Sequence, residues 1–519
     1  MGDSKTNHYD TLIIGAGHNG LVAAAYLAKR GKKVLVLERR PIVGGTVVTE
    51  SFGDGFVADS VWAGGSLRPD ILKDLKLTLP VATEKPAFIS LLPDSNSLIL
   101  YPDPAKAAES IKCFSEKDAA RWPEFVRFMD KSARILDFIY YTLMPRLPKN
   151  FSLGEGYGLL ELGLELRLAG RRDMLNFIRM LPMTAVEFLE EWFESGPLKA
   201  AIASVAVHGQ TLGVMSAGTG YTLLHNWLNR GGLAHTPLSP SPHFPGKWGE
   251  PEGGGVGGIG VITQALADAV RAYGGEIRTN AEVERIQVDT YTCKGVVLAS
   301  GEEISANTLI SAVDPKRTFL DLVGAPNLPP EFVWQVQSIK MRGSVAKVHL
   351  LVEGRHGLPA GTIALAPTLN YLERACDAAK YGEISEKPYL EITASGNVIS
   401  IHFQYAPYSL RQGSWNNETR NTLANLAIHT LTDHFPNLQS LISNSHIITP
   451  LDLEQTYGLT EGDLNHGQLM LDQFLFMRPI PGWSNHKTPV DNLYLCGSGV
   501  HGGGGVSGAA GRNAARVLK

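Results

Sequence analysis

The chain has 519 residues, with 47 lysines and arginines against 51 aspartates and glutamates and a formal net charge of −4. That length can bury a large core across more than one domain. The near balance of charge excludes a nucleic-acid protein with a strongly basic binding face. Cys113, Cys293, Cys376 and Cys496 stand far apart with no Cys-x-x-Cys pair, which argues against dithiol redox chemistry and the usual zinc site and fits a reducing compartment.

The opening MGDSKTNHYD lacks the apolar stretch of a signal peptide and is too acidic and Arg-poor for a transit peptide. Gly2–Thr6 formally matches a short myristoylation pattern, and the sequons at Asn150 and Asn417 carry meaning only with secretion. No apolar run approaches the roughly 20 residues of a spanning helix. The expectation is a cytoplasmic protein, with the mitochondrial matrix and one-sided membrane contact as alternatives.

The first chemistry-bearing segment is YDTLIIGAGHNGLVAAAYLAKRGKKVLVLERR, from Tyr9 to Arg40. Its pattern predicts a strand at Thr11–Ile14, an Ala-rich helix at Gly20–Arg30 and a second buried strand at Val34–Leu37. The turn between the first two is Gly15-Ala16-Gly17-His18-Asn19-Gly20, a G-x-G-x-x-G fingerprint. Gly15 permits the tight turn, Gly17 lets a pyrophosphate approach the backbone, and Gly20 lets helix and strand pack closely. Glu38 is placed to accept from a ribose hydroxyl and would repel a 2′-phosphate, which disfavours NADP. Gly44 and Gly45 follow at once, an arrangement that carries the chain along a long FAD molecule rather than NAD. Arg39 and Thr46 flank this run as further cofactor contacts.

Two later stretches are greasy and helical in pattern, FVRFMDKSARILDFIYYTLMPRL and LLELGLELRLAGRRDMLNFIRMLP. They read as a lid over a substrate cavity. The alternative is a monotopic patch, with Arg167, Arg171 and Arg172 meeting anionic lipid. In HGQTLGVMSAGTGYTLLHNWLNRGG, Tyr221 and His225 are four apart and share a helix face, with Trp227 nearby. A second G-x-G-x-x-G, Gly255 to Gly260, follows HFPGKWGEPEGG, which is not a strand, so it fails as a nucleotide turn. Beyond it come a helix, a turn and strands. SVAKVHLLVEG and NVISIHFQYAP read as strands of a sheet flooring the cavity, and Asp472 and Arg478 are candidates for a structural pair. The end, LYLCGSGVHGGGGVSGAAGRNAARVLK, predicts a strand at Leu493–Cys496 and a helix at Ala509–Leu518. The glycines between them exceed what a turn requires.

These segments together resemble the phytoene desaturase-like branch of the amine-oxidase superfamily of FAD enzymes, with carotenoid ketolases nearby. The resemblance rests on the turn at Gly15–Gly20, Gly44-Gly45, GTGYTLLH, GGIGVITQALADAV, LDQFLFMRP and the glycine-rich end, and so covers nearly the whole chain. It implies a Rossmann-like α/β FAD domain, discontinuous over residues 1–72, 250–317 and 487–519. Residues 73–249 and 318–486 then form an inserted α+β substrate domain, a mixed sheet with a helical lid.

It further implies that the last strand returns to the first sheet and that the last helix points its N-terminus at the flavin. Gly497, Ser498, Gly505 and Val506 would lie there, where the helix dipole stabilises negative charge on the reduced ring. Many relatives carry an acid where this chain has Ser498. Val283 stands where the branch touches adenine, and the helix after Gly260 should begin near the flavin.

The expected activity is dehydrogenation, isomerisation or oxidation of a long apolar, carotenoid- or lipid-like substrate, with non-covalent FAD and oxygen or a quinone as acceptor. His225, Tyr221 and His501 are the catalytic candidates. The bland alternative for His225 is a satisfied core residue, and for His501 a cap on a backbone carbonyl. The competing functions are a flavin amine oxidase, for which the segment before the last strand supplies only Trp483 of the usual aromatic pair, and a non-catalytic flavin-bound partner protein. No metal site and no second nucleotide-binding unit are expected.

Overall fold

The computed structural model describes residues 8–53, 56–79, 85–93, 96–148, 156–168, 170–235 and 258–518. Its first sheet is built from distant parts of the chain. Five parallel strands run in the order Glu276–Arg278, Val34–Leu37, His8–Ile14, Glu303–Ser311 and Leu493–Leu495. Glu303–Ser311 forks. Its end pairs with Leu493–Leu495, while its start pairs antiparallel with Thr292–Leu298, which continues to Val283–Asp289. The parallel strands read as unbroken apolar runs because both faces are covered.

On one face lies the helix His18–Lys29, every residue of which is buried except Lys29. Its alanines let the helices Gly260–Ala272 and Ala509–Val517 pack closely against it. The other face is closed by Phe319, Leu322, Phe332 and Val336, packed with Leu12, Ile14 and Leu309. Residues from 318 to about 341 therefore share the core of the first sheet, although the sequence placed 318 onward in the substrate half. The expected border at 249/250, the second glycine fingerprint before Gly258, Asn150 and the first seven residues lie outside the described residues.

A second sheet has the order Ile442–Ile448, Val345–Val352, Val398–Gln404, Leu390–Ser395, Gly361–Leu365, Ala87–Leu91 and Ser97–Leu100. Its last two strands come from residues 73–249, where the sequence pattern shows only helical stretches. Alternation gives the sheet two faces. Val348, Ile392, Ile399 and Ile401 point to a core closed by Leu423, Ala427 and Leu431 of the helix Asn417–Thr432. The opposite face carries Lys347, His402 and Glu391 directly opposite one another across three strands.

Helices fill the rest of the first insertion. Glu116–Tyr141, Gly196–Val207 and Thr219–Arg230 share one apolar cluster. Tyr157–Leu168 and Arg171–Met180 lie further out and expose Tyr157, Leu160, Leu164, Leu168, Leu175 and Ile178. No helix among the described residues is long and apolar enough to cross a membrane.

Gly20 shows how tightly the first helix is held. A Cβ there would stand 2.2 Å from the carbonyl oxygen of Gly15. Gly20→Ala is therefore expected to cost about 1–3 kcal/mol of stability, read as a lower urea midpoint with an unchanged slope.

Candidate functional site

The turn after the first strand opens onto a cleft of about 1030 Å³. Gly15, Gly17, Gly20, Glu38, Arg39, Gly44, Gly45, Thr46, Val283, Gly497, Ser498 and Gly505 all line it. The Glu38 carboxylate accepts from the N–H groups of Ala16 at 2.8 Å and Arg40 at 3.0 Å. Those bonds hold it at the end of Val34–Leu37 with lone pairs left for a ribose. Arg39 donates to the carbonyls of Gln455 and Thr456, and Arg40 pairs with Glu50.

The residues present fit a dinucleotide. The helix His18–Lys29 begins at Gly17 with no side-chain cap and no acid in its first turn, so its N–H groups and dipole are available to an anion. A Cβ on Gly17 would meet nothing within 4 Å, whereas one on Gly45 would lie 3.3 Å from the Cα of Gly17. His18 Nε2 and His466 Nδ1 line the same cleft as buried nitrogens without partners. FAD, when bound, supplies a two-electron acceptor.

The far end of the cleft is closed by the glycine-rich turn. Gly497 is required by packing, since a Cβ there would stand 2.6 Å from the carbonyl oxygen of Ala312. Ser498 Oγ accepts from Asn19 at 3.4 Å, and the Ser498 carbonyl accepts from Arg478 at 2.9 Å. Arg478 also reaches the carbonyls of Asn465 and Gly467. It is not paired with Asp472, which binds Lys340 at 2.5 Å. The helix Gly260–Ala272 does not begin at the cleft either. Asp59 and Thr49 accept from the N–H groups of Ile259 and Gly260, so its N-terminus is already satisfied.

A second, smaller cavity adjoins the first, and Trp62, Leu464 and Gly505 line both. Val506 and His225 line it, while Tyr221 and His501 line neither space. His225 lies against the glycine-rich turn, where a Cβ on Gly504 would be 2.8 Å from its Cε1. Its Nε2 receives the Asn229 amide at 3.1 Å, so Nδ1 carries the proton and donates to Tyr140 Oη at 2.7 Å. Tyr140 continues to Tyr221 at 2.9 Å. Both nitrogens of His225 are thus engaged within the protein. Burial, with Arg478 adding to it, lowers its pKa to about 3, which keeps it neutral. His501 donates from Nε2 to the Ile139 carbonyl at 2.9 Å and secures the end of the helix Glu116–Tyr141.

Residues that the sequence reading did not single out occupy the rest of this cavity. His208, Arg230, His235 and His402 line it. Glu391 Oε1 accepts from His235 Nε2 at 2.7 Å, and Oε2 from Arg230 at 2.9 Å. Burial opposes ionisation of Glu391, and Arg230 overrides it, holding the carboxyl well below its ordinary value. The signal that could have found Glu391 and His402 is the polar residue alternating with apolar ones in LEITAS and VISIHFQ.

A model of flavin-containing amine oxidoreductases matches residues 100–451, and one of NAD(P)-binding Rossmann-like domains matches residues 13–64. The chain belongs to the flavin-containing amine oxidoreductase family. It is an FAD-dependent oxidoreductase. It is 33% identical to pyridine nucleotide-disulfide oxidoreductase domain-containing protein 2 of Rattus norvegicus, over 98% of this chain and 93% of that one. It is 22% identical to the lycopene-forming phytoene desaturase of Pantoea ananas, over 96% of each. In fold it is similar to cyclohexylamine oxidase from Brevibacterium oxydans, with a TM-score of 0.54, 16% identity and 98% of each chain covered.

Two outcomes follow from this geometry. Gly17→Ala adds a methyl group that meets no protein atom and projects into the cleft. The variant is expected to keep its unfolding midpoint without cofactor and to lose stoichiometric FAD, measured by absorbance after gel filtration. The second concerns acid. Burial lowers His18, His208, His225, His235, His349, His466, His486 and His501 to about 3 or 4. Such groups stabilise the fold fully above their unfolded pKa of about 6.5, and that contribution is lost as pH falls towards the folded value. Asp59 and Asp463, raised to about 6, act in the opposite sense between pH 6 and 4 but are outnumbered. Unfolding stability should fall from about pH 6.5 to 4, by about 1.4 kcal/mol per pH unit for each uncompensated histidine, checked by denaturant titrations across that range.

Proposed function

We propose that this chain oxidises a small organic substrate held in the second cavity by hydride transfer to non-covalent FAD, and passes the electrons to oxygen or a quinone. The observation that supports this is the junction of the two cavities at Trp62, Leu464 and Gly505, beside the glycine-rich turn. Hydride transfer needs alignment and exclusion of water more than a strong base. An engaged, neutral His225 is consistent with that, holding the turn in place.

One relative is a lycopene-forming phytoene desaturase, and the sequence resemblance suggests a long apolar substrate here. The polar second cavity favours something smaller with a hydrogen-bonding end. Trp483 packs on Phe332 away from both cavities, which weakens the amine-oxidase alternative of two aromatics at the flavin. Non-covalent attachment is supported by Cys496, which is fully buried and lines neither space. The exposed face of Leu160, Leu164 and Leu168, with exposed Arg167 and Arg171 nearby, supports contact with an anionic membrane surface.

Among the described residues there is one largely parallel sheet with a glycine turn opening onto a cleft, and Glu38 lines that cleft. NADH and NADPH are therefore expected to reduce the bound flavin slowly or not at all. Anaerobic stopped-flow mixing is the check, and bleaching at on the order of ten per second would show a nicotinamide site and turn the reading towards a reductase.

A further inference from the structure

The face of the second sheet towards the second cavity holds an unsatisfied hydrogen-bond acceptor. His402 is 3% exposed and lines the cavity, and its Nδ1 has no partner. Its tautomer follows from its neighbours. Gln404 Oε1 accepts the Gly209 N–H at 2.8 Å, and the Gln404 amide donates to the Gln210 carbonyl at 2.5 Å. Those two bonds fix Oε1 as the atom 2.9 Å from His402 Nε2. An acceptor there requires that Nε2 carry the proton, which leaves Nδ1 a bare lone pair. Burial holds His402 well below its ordinary pKa, with His208 next, so Nδ1 stays unprotonated.

Neither adjacent histidine supplies the missing donor, and Lys347, opposite His402 on the next strand, makes no hydrogen bond to Nδ1 here. His208 stacks face to face on His402 with centroids 3.8 Å apart and offers no in-plane N–H. His235 Nε2 gives its proton to Glu391. A buried acceptor left unmade is costly, and an apolar ligand in this space would leave it so.

We infer that the second cavity is built for a substrate carrying a hydroxyl or amine N–H group, donated to His402 Nδ1, and not for a pure hydrocarbon. This rests on the reading that the cavity beside the flavin turn is the substrate site. His208, His235 and Glu391 also have the spacing of a metal site, their ligand atoms all within 4.8 Å of one another. The Arg230 guanidinium on Glu391 and the nearby cation of Lys347 oppose a divalent ion there, so a donor-bearing organic group is the better occupant.

The test uses FAD-loaded enzyme and three probes of one shape: benzyl alcohol, benzaldehyde and toluene. Binding is read by thermal shift and calorimetry, with flavin difference spectra in parallel. Benzyl alcohol is expected to bind about tenfold more tightly than either other probe, the factor one hydrogen bond carries. His402→Gln keeps a group at the Nε2 position and removes the Nδ1 acceptor, and should abolish that preference. His402→Asn returns an acceptor near the Nδ1 position and should restore it.

Toluene binding as well as the alcohol, a preference that survives in His402→Gln, or no response to any probe would overturn the inference. So would stoichiometric Co²⁺ binding that His235→Ala removes. Should either His402 variant fail to fold, the wild-type ranking of the three probes decides alone. Loss of flavin from the wild-type enzyme would instead count against the cofactor reading, and thermal shift keeps the two failures separate.

Discussion

The crossing of the first and last helices at Asn19 and Gly511 is the contact on which the rest of the architecture depends. A Cβ on Gly511 would lie 2.1 Å from the Asn19 carbonyl oxygen, and the Gly511 N–H reaches Asn19 Oδ1 at 3.3 Å. With no side chain between them, the backbones touch. That brings the glycine-rich turn before Ala509 against the turn at Gly15–Gly20, and only then does one cleft have walls from both ends of the chain. Asn19 serves both sides of this contact, since its amide also reaches Ser498 Oγ.

The same closeness explains the buried charge of Arg478. Its guanidinium is nearly inaccessible and is met by carbonyls from Asn465, Gly467, Gln473 and Ser498. A buried cation is expensive unless it is compensated. Asp463 supplies a nearby carboxyl and the carbonyls take up the terminal nitrogens, so one side chain ties the glycine-rich turn to the loop through His466. Its field also opposes protonation of His225, His466 and His501. The end of the cleft closed by the glycine-rich turn is thus kept free of additional positive charge at neutral pH.

The second sheet divides its labour by face. One face is sealed by aliphatic side chains beneath the helix Asn417–Thr432. The other concentrates Glu391, His402 and Lys347 within three adjacent strands, where Arg230 from a neighbouring helix compensates the one carboxylate. Sharing the fold of desaturases and amine oxidases leaves open which substrate enters. What this face adds is a set of buried polar groups beside the second cavity.

The local grammar of the cofactor domain was present in the sequence. The strand Val34–Leu37 appears as read, and the first helix begins two residues earlier than expected, at His18. Apolar runs, an alanine-rich helix and glycines at fixed spacing act over a few residues, so they determined the βαβ unit, Gly17 and Glu38 without reference to the rest of the chain. Tertiary structure decided what local pattern cannot hold. It paired Leu493–Leu495 with Glu303–Ser311, satisfied the helix at Gly260 with Asp59 instead of a ligand, and turned His501 to the Ile139 carbonyl. It also gathered His208, Arg230, His235 and His402 around one space, with Glu391 bonded behind Arg230 and His235. The alternation in a strand says which residues share a face, but not whether that face meets water, a core or a cavity. That depends on what packs against it, and those partners lie tens to hundreds of residues away.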